Sequence, residues 1–200
     1  MFMSLASLAD ADLSKWNTSK VTDMSNMFVN SDIVDGGIGN WDVSNVTDMS
    51  FMFNGARAFN GDISDWDTSK VTVMNSMFGF AGSFNQDISL WDTSNVTNMC
   101  SMFYEAISFD RPIGNWDVSN VKDMSAMFGY ADKFNQDISK WNIREDAEVA
   151  RMFNLAKNFD QDLSSWTLKT TERVAKDMFV GSKLNLKKNV NKKPKFNKFK

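Results

Sequence analysis

Tryptophan recurs along this chain at a constant interval of 25 residues. The seven tryptophans are Trp16, Trp41, Trp66, Trp91, Trp116, Trp141 and Trp166. Self-similarity at a fixed period of about 20–50 residues is typical of stacked repeat proteins, in which each unit buries its apolar face against the next. The period therefore predicts an array of six complete 25-residue units followed by a seventh that loses the pattern.

Other apolar residues keep fixed distances from the tryptophan, which we number as position 0 of each unit. Phenylalanine occupies +12 in six units and +18 in five, with Val34 at +18 of the first unit. Methionine occupies +11 in six units, and isoleucine or leucine occupies +22 in six. One copied template thus explains why 200 residues contain 17 Phe and 14 Met. These columns, including the tryptophans, are the predicted core, although an exposed row of rings could instead grip a ligand.

Two spacings within the unit predict secondary structure. Apolar or small residues at +5, +8, +12 and +15, such as Val46, Met49 and Phe53, follow one face of a helix and predict a short helix from about +6 to +15. Positions +22, 0 and +2 match the L-x-x-L-x-L spacing of leucine-rich repeats and predict a short strand. The expected fold is an α/β repeat solenoid, a leucine-rich-repeat-like right-handed coil with a parallel sheet on one face and short helices on the other.

The two ends of the chain depart from the template. Residues 1–15 are predicted to form an N-terminal cap, and residues 16–140 form five regular repeats. Residues 141–182 gain strong helix formers and an extra residue before the Met-Phe pair, so they are predicted to be divergent repeats that form a C-terminal cap. Residues 183–200 lie outside the template and form a basic tail.

Charge is distributed unequally between the tail and the rest of the chain. The tail holds 8 basic residues and no acidic ones, whereas the preceding 182 residues hold 14 basic and 25 acidic groups, a net charge of −11. Lysines interleaved with phenylalanine could contact nucleic acid, another anionic surface or a larger assembly, and the alternative is a solvated extension. The candidate lysines are Lys187, Lys188, Lys192, Lys193, Lys195, Lys198 and Lys200.

Position +1 carries an acidic residue in four consecutive units. This aspartate column consists of Asp42, Asp67, Asp92 and Asp117. Because positions 0 and +2 are predicted to face inward on a strand, the residue between them should face outward. Two interpretations are open: an acidic stripe for a basic protein partner or a cation, and a solvated face whose carboxylates bond locally to the serine at +3.

The residue types argue against catalysis. The chain has no histidine, the side chain that most often acts as a general base or metal ligand near neutral pH. Its single cysteine, Cys100, cannot form an internal disulfide. Nearly every acid, hydroxyl and amide is a copy of one in the next unit, and no phosphate loop, nucleophile elbow or metal-ligand spacing is present. The sequence therefore predicts a protein without enzymatic activity, catalytic residues, metal site or cofactor.

The segment FNQDISLWDTSNVTNMCSMF resembles the repeat of about 25 residues found in BspA-like bacterial surface proteins and mycoplasma-type lipoproteins, a branch of the leucine-rich repeats. The resemblance covers about residues 13–165. It implies an adhesive or protein-interaction role at a cell surface.

The opening segment MFMSLASLADADLSKW favours a different location. It lacks a basic n-region, and Asp10 and Asp12 interrupt its apolar residues, so it predicts neither a signal peptide nor a membrane span. The alternative hypothesis is a structural component of a virus or phage particle, or of another large assembly, anchored through the basic tail. A virion or cytoplasmic location would fit this second hypothesis.

Overall fold

The computed structural model describes residues 8–169, 174, 177–185 and 187–197. Three short 3₁₀ helices have defined bounds in this part of the chain: η1 (Ile38–Asn40), η2 (Lys183–Asn185) and η3 (Lys187–Lys192). Two strands, β1 (Thr167–Lys169) and β2 (Lys195–Asn197), pair in parallel. The first seven residues of the predicted N-terminal cap lie outside the described residues.

Each unit is hydrogen-bonded to the next through alternate residues of one segment, positions +8 to +14, which we call the turn segment. In the second unit, the backbone N–H of Met49 donates to the carbonyl of Val73 at 3.0 Å, and that of Phe53 donates to Met77 at 2.9 Å. The N–H groups at +10 and +14 donate to the following unit in the same way, as Phe51 does to Asn75 at 2.9 Å. The backbone of successive units is therefore stacked in parallel and in register.

The turn segment differs from the predicted helix over +6 to +15. It consists of consecutive turns, because residues +10 and +14 have positive φ in all six complete units, as at Phe51 (57°) and Phe80 (60°). A left-handed residue breaks a right-handed helix and costs about 1–2 kcal/mol when it is not glycine. Hydrogen bonds to the next unit, each contributing about 0.5–1.5 kcal/mol net, offset that cost. The apolar positions still face the core, which is why the spacing resembled a helix face.

The strand predicted around each tryptophan also differs from the structure. Parallel β-bridges join the units at +7, one residue per unit, from Asp23 and Asp48 onward to Glu148. Only β1 forms a strand next to a tryptophan in the described residues, and it does so where β2 lies alongside it. Parallel pairing between units is therefore present, but at a different position in the unit.

Stacked aromatic rings fill the core. Rings at +12 lie 5.5–5.7 Å apart from unit to unit, as in Phe53 and Phe78. Within a unit the +12 and +18 rings are closer, for example 3.9 Å between Phe53 and Phe59. In the first unit Val34 is exposed and Ile33 is buried in its place. The nearby Gly36 and Gly37 both have positive φ, which turns the chain differently from the other units.

Residues of the basic tail cover the C-terminal end of the stack. Just before the tail, Phe179 extends the +12 column by stacking on Phe153 at 5.6 Å. In the tail, Leu184 is fully buried, and its N–H donates to the carbonyl of Phe159. Strand β2 then continues the parallel pairing through the N–H of Lys195, which donates to Trp166 at 2.9 Å. The tail thus completes the seventh unit, and only β2 lies where an eighth unit would begin.

Candidate interaction surface

The tryptophan column belongs to the core. Six of the seven tryptophans are only 3–4% exposed, which confirms the prediction for Trp41 through Trp166, while Trp16 at the first unit is 40% exposed. The indole Nε1 of each tryptophan from Trp41 to Trp141 donates to the carbonyl of the residue 28 positions earlier, such as Ile63 for Trp91 at 3.1 Å. The polar edge of these rings is therefore used to join units and is not presented to a ligand.

The aspartate column is exposed, as its position between buried neighbours requires. Each carboxylate accepts the backbone N–H of the serine two residues later, at 2.9–3.0 Å. At Asp42 and Asp92 the serine hydroxyl also donates to the same oxygen, at 2.6 Å. The local bonding to serine that the sequence suggested is therefore present, and it engages one oxygen of each of these exposed carboxylates.

These serine contacts also stabilise the charged form of the aspartate carboxylates. Hydrogen bonds from the side chain and backbone of Ser44 hold the pKa of Asp42 below its ordinary value. Ser69 and Ser119 lower the pKa of Asp67 and Asp117 in the same way. These three carboxylates therefore stay ionised to lower pH than an ordinary aspartate does.

Buried threonines set the alignment of the aspartate column. Thr68 Oγ1 donates to the backbone carbonyl of Asp92 at 2.9 Å, and Thr93 Oγ1 donates to that of Asp117 at 2.8 Å. Both threonines are 1% exposed, so their hydroxyls are locked in the core. Lys70, whose Nζ donates to Asn45 at 2.8 Å, is the basic residue whose charge acts on Asp42 and Asp67. The backbone of the aspartate column is therefore held in place at Asp92 and Asp117, and Lys70 offsets only part of the column's negative charge.

A second polar column, at +19, was not singled out in the sequence. It consists of Asn60, Asn85, Asp110, Asn135 and Asp160, and each of the first four accepts the backbone N–H of the next at 2.9–3.0 Å through its side-chain oxygen. The signal in the sequence was the recurring Asn or Asp after Phe. These side-chain oxygens therefore serve to join neighbouring units.

Two residues of the tail contact Asp160, the last member of this +19 column. Asn189 donates to the carboxylate of Asp160 at 2.7 Å, where the next unit would supply a backbone N–H. Lys192 Nζ lies 2.9 Å from the carbonyl of Asp160 and 3.2 Å from its carboxylate, replacing the glutamine amide that Gln161 provides one unit earlier. Two tail residues therefore reproduce the contacts of a repeat.

The candidate lysines of the tail are divided by these contacts. Lys192 is paired with Asp160, and Lys193 donates to Asn185 at 3.0 Å and lies over the ring of Phe179. Lys188 and Lys195 are exposed. The side chain of Lys187 and the whole of Lys198 and Lys200 lie outside the described residues.

The described residues contain neither a cluster of metal-binding side chains nor a helix able to span a membrane. No group of three or more His, Cys, Asp and Glu side chains there is placed to hold a metal ion. Among the helices of the same residues, none has the length and apolar content needed to cross a bilayer. Cys100 is partly buried, and burial raises the pKa of its thiol.

The chain is thus a stack of near-identical units whose polar groups are repeated and mostly used to join neighbours. Residues 1–99 and 80–193 each match the family described as "Mycoplasma protein of unknown function, DUF285". Because the two matches together span most of the chain, the protein belongs to this family. No curated protein and no solved structure matches the chain.

Proposed function

We propose that this protein is a non-enzymatic, leucine-rich-repeat-like solenoid that acts as a protein-interaction or adhesive surface protein. Its binding surface is the aspartate column, and its partner is a basic protein. The family to which the chain belongs is described as of unknown function, so the proposal rests on the geometry of the aspartate column.

The exposure and alignment of the four carboxylates are the observation that carries the proposal. Asp42, Asp67, Asp92 and Asp117 all accept one hydrogen bond from a serine N–H and are exposed. The ring centroids of Trp66 and Trp91, which directly precede Asp67 and Asp92, are 6.3 Å apart. Four like charges at that spacing repel each other, and a basic partner relieves the repulsion.

Repetition of the polar groups supports a non-catalytic role. The Asp–Ser turn at +1 and +3 recurs with the same geometry in four units, and Asn17 with Ser19 repeats it in the first. A catalytic site needs groups of different function held at one place. A repeated row of one carboxylate instead offers many equal contacts to an elongated surface.

Exposure of Lys188 and Lys195 favours the second candidate function, a component of a virus or phage particle or other large assembly anchored by the tail. The ion pair of Lys192 with Asp160 weighs against it, because this lysine is already engaged within the chain. We therefore place this function behind the first.

Replacing the whole aspartate column by asparagine tests the first function. Asn17 accepts the N–H of Ser19 at 3.2 Å, so asparagine can keep each turn while removing its charge. We expect the quadruple variant to keep its melting temperature and to lose affinity for a fluorescent octalysine peptide, measured by anisotropy at several salt concentrations. Wild-type binding should weaken steeply with salt.

The matched control removes the same charge elsewhere. Asp23, Asp48, Asp123 and Glu148 occupy +7, and Asn98 already serves as the turn acceptor at this position in the fourth unit. Changing these four to their amides should leave octalysine binding close to that of the wild type. Equal loss of binding in both variants would show an effect of net charge alone and refute the aspartate column as the site.

The tail hypothesis needs point variants, because deleting residues 183–200 would also uncover Phe159 and Asp160. Lys188→Glu with Lys195→Glu reverses two exposed charges and leaves the buried contacts in place. Under the second function this double variant should lose retention on a heparin column, and the loss should follow salt. Unchanged elution would rule out anchoring through these two lysines.

A further inference from the structure

The two ends of the stack differ in how well their core is covered. At the C-terminal end Phe179 and Leu184 are buried. In the first unit, at the N-terminal end, Val21 at +5 and Met27 at +11 are only partly buried. The residues at +5 of the next four units and at +11 of the next five are completely buried. The core of the first unit is therefore open on the side away from the second unit.

A groove of about 400 Å³ lies on this open side. Its lining runs from Trp16 at position 0 to Met27 at +11 and includes Thr18 and Val21. Thr18 is 4% exposed, and its hydroxyl has no hydrogen-bond partner within the described part of the chain. Asp23 is the one charged residue among those that line the groove, and it is exposed. The groove thus combines an apolar floor with a negative charge and a buried polar group that lacks a partner.

The backbone of the turn segment gives each unit two different edges. The N–H groups at +8, +10, +12 and +14 donate to the next unit, so the carbonyls at +7, +9, +11 and +13 accept from the preceding one, as Asp48 does from Met24 at 2.9 Å. In the first unit no described residue donates to these carbonyls, which belong to Asp23, Ser25, Met27 and Val29. Two such edges brought together would place acceptor against acceptor. The polarity therefore excludes a symmetric pairing of two N-terminal ends and favours the C-terminal end of another stack.

Strand β2, at the C-terminal end, starts a unit that the described residues do not complete. Thr167, at +1 of the seventh unit, lies opposite Lys195, and Leu168, at +2, lies opposite Phe196. The strand therefore occupies positions +1 to +3 of an eighth unit, with Phe196 partly buried against the core in the +2 column. In the described sheet its outer edge has no further strand beside it.

Residues 12–15, before the first tryptophan, supply the end of a preceding unit. Asp12 at +21 accepts the N–H of Ser14 at 3.0 Å, the turn that later units also have at this position. Leu13 at +22 is buried, and its carbonyl accepts Nε1 of Trp41 in the same way as the +22 carbonyls of later units. The groove lies where the earlier positions of this preceding unit would pack. Residues 12–15 and β2 are thus different parts of one template.

We propose that copies of this chain associate head to tail, with strand β2 of one copy bound in the groove of the next. The strand supplies positions +1 to +3 of a shared unit, and residues 12–15 of the second copy supply +21 to +24. Phe196 then lies over Thr18, its counterpart at +2. Charge agrees with this occupant, because no basic residue lines the groove and no acidic residue occurs in the tail. Such an interface is heterologous, and each copy keeps one unused end, so the assembly is open-ended.

Sedimentation velocity of the full chain over a range of concentrations tests the proposal. The average mass of the wild type should rise with concentration beyond that of two chains. Val21→Arg blocks the groove and Phe196→Asp blocks the strand, so each variant alone should sediment as a single chain. An equal mixture of the two should form a dimer and nothing larger, because one intact groove and one intact strand remain. Only head-to-tail association predicts this recovery.

Two further sets of variants serve as controls. Leu90→Arg adds the same charge at a residue that is 86% exposed and lies outside both ends, and it should associate like the wild type. Asp23→Arg and Lys195→Glu change exposed residues of the groove and the strand. They replace Val21→Arg and Phe196→Asp if either of these fails to show a cooperative melting transition.

Three results would overturn the proposal. One is a wild type that stays a single chain at every concentration. Another is association of the wild type without dimer formation in the mixture of blocked variants. The third is association that persists in both blocked variants and disappears in the Asp→Asn variant of the aspartate column, which would place the tail on that column of another copy. Octalysine binding should be unchanged in Val21→Arg, so self-association and the proposed function are tested separately.

Discussion

Trp91 lies in the middle of the stack, and its replacement by alanine tests whether the rings hold the units together. The side chain is 3% exposed. Its ring centroid is 6.3 Å from that of Trp66 and 6.1 Å from that of Phe78. Its Nε1 donates to the carbonyl of Ile63 at 3.1 Å. Alanine would remove these contacts and leave a cavity between neighbouring units.

The size of the effect follows from packing more than from the hydrogen bond. Replacing a buried tryptophan by alanine costs about 3–5 kcal/mol. The carbonyl of Ile63 also accepts the backbone N–H of Trp66 at 3.3 Å, so it keeps a partner in the variant. The hydrogen bond then accounts for about 0.5–1.5 kcal/mol of the loss. Trp91→Phe, which keeps most of the ring, should cost about 1–2 kcal/mol.

Urea unfolding followed by far-ultraviolet circular dichroism measures both changes. The control is Leu90→Ala, because Leu90 is the preceding residue and is 86% exposed. Its effect should stay within about 0.5 kcal/mol. A loss below about 1.5 kcal/mol for Trp91→Ala would refute the packing argument, since it lies well outside the range for a buried tryptophan. Equal losses for the alanine and phenylalanine variants would assign the effect to the hydrogen bond.

Three other predictions concern the polar columns and the tail. Asp92→Asn should change the free energy of unfolding by less than about 0.5 kcal/mol, whereas Asp92→Ala should cost about 0.5–1.5 kcal/mol in urea unfolding, because only asparagine keeps the turn; a clear loss for asparagine would mean that the charge itself is structural. Lys192→Met should cost about 0.5–1 kcal/mol, since the pair with Asp160 is partly exposed, and Lys188→Met should cost less by the same assay; equal effects would contradict the role of Lys192 in the cap. The lowered folded-state pKa values of Asp42, Asp67 and Asp117 stabilise the fold at pH values above the unfolded pKa of about 3.9, so the urea midpoint should fall as the pH drops below about 4; a constant midpoint would contradict this.

The sequence alone was sufficient to predict the repeat period, the core columns and the outward direction of the aspartate column. The burial of Phe53, Met49 and Trp66 follows directly from the 25-residue spacing. Burial depends on which residues recur at which interval, and a stack of identical units repeats the same choice at every level. The Asp–Ser turns were also predictable, because they join residues two positions apart.

The secondary structure of the turn segment could not be predicted from the spacing. A helix face and a run of turns place apolar residues at similar intervals, and +10 carries Phe51, Ser76 and Ala126 with no glycine to mark its positive φ. The left-handed conformation is stabilised by hydrogen bonds between residues 24 positions apart. Only the neighbouring unit provides those partners, so no local window contains the information.

The tail and the row of rings formed by Phe80, Tyr104 and Tyr130 show the same division between sequence and tertiary structure. The sequence established that the tail is basic and that +13 and +14 vary between units. It could not show that Lys192 meets Asp160, or that Phe80, Tyr104 and Tyr130 form one row. Composition and local turns are properties of short segments, whereas these contacts join residues about one unit apart or more. The stacking of the units decides them, because it brings those residues within reach of each other.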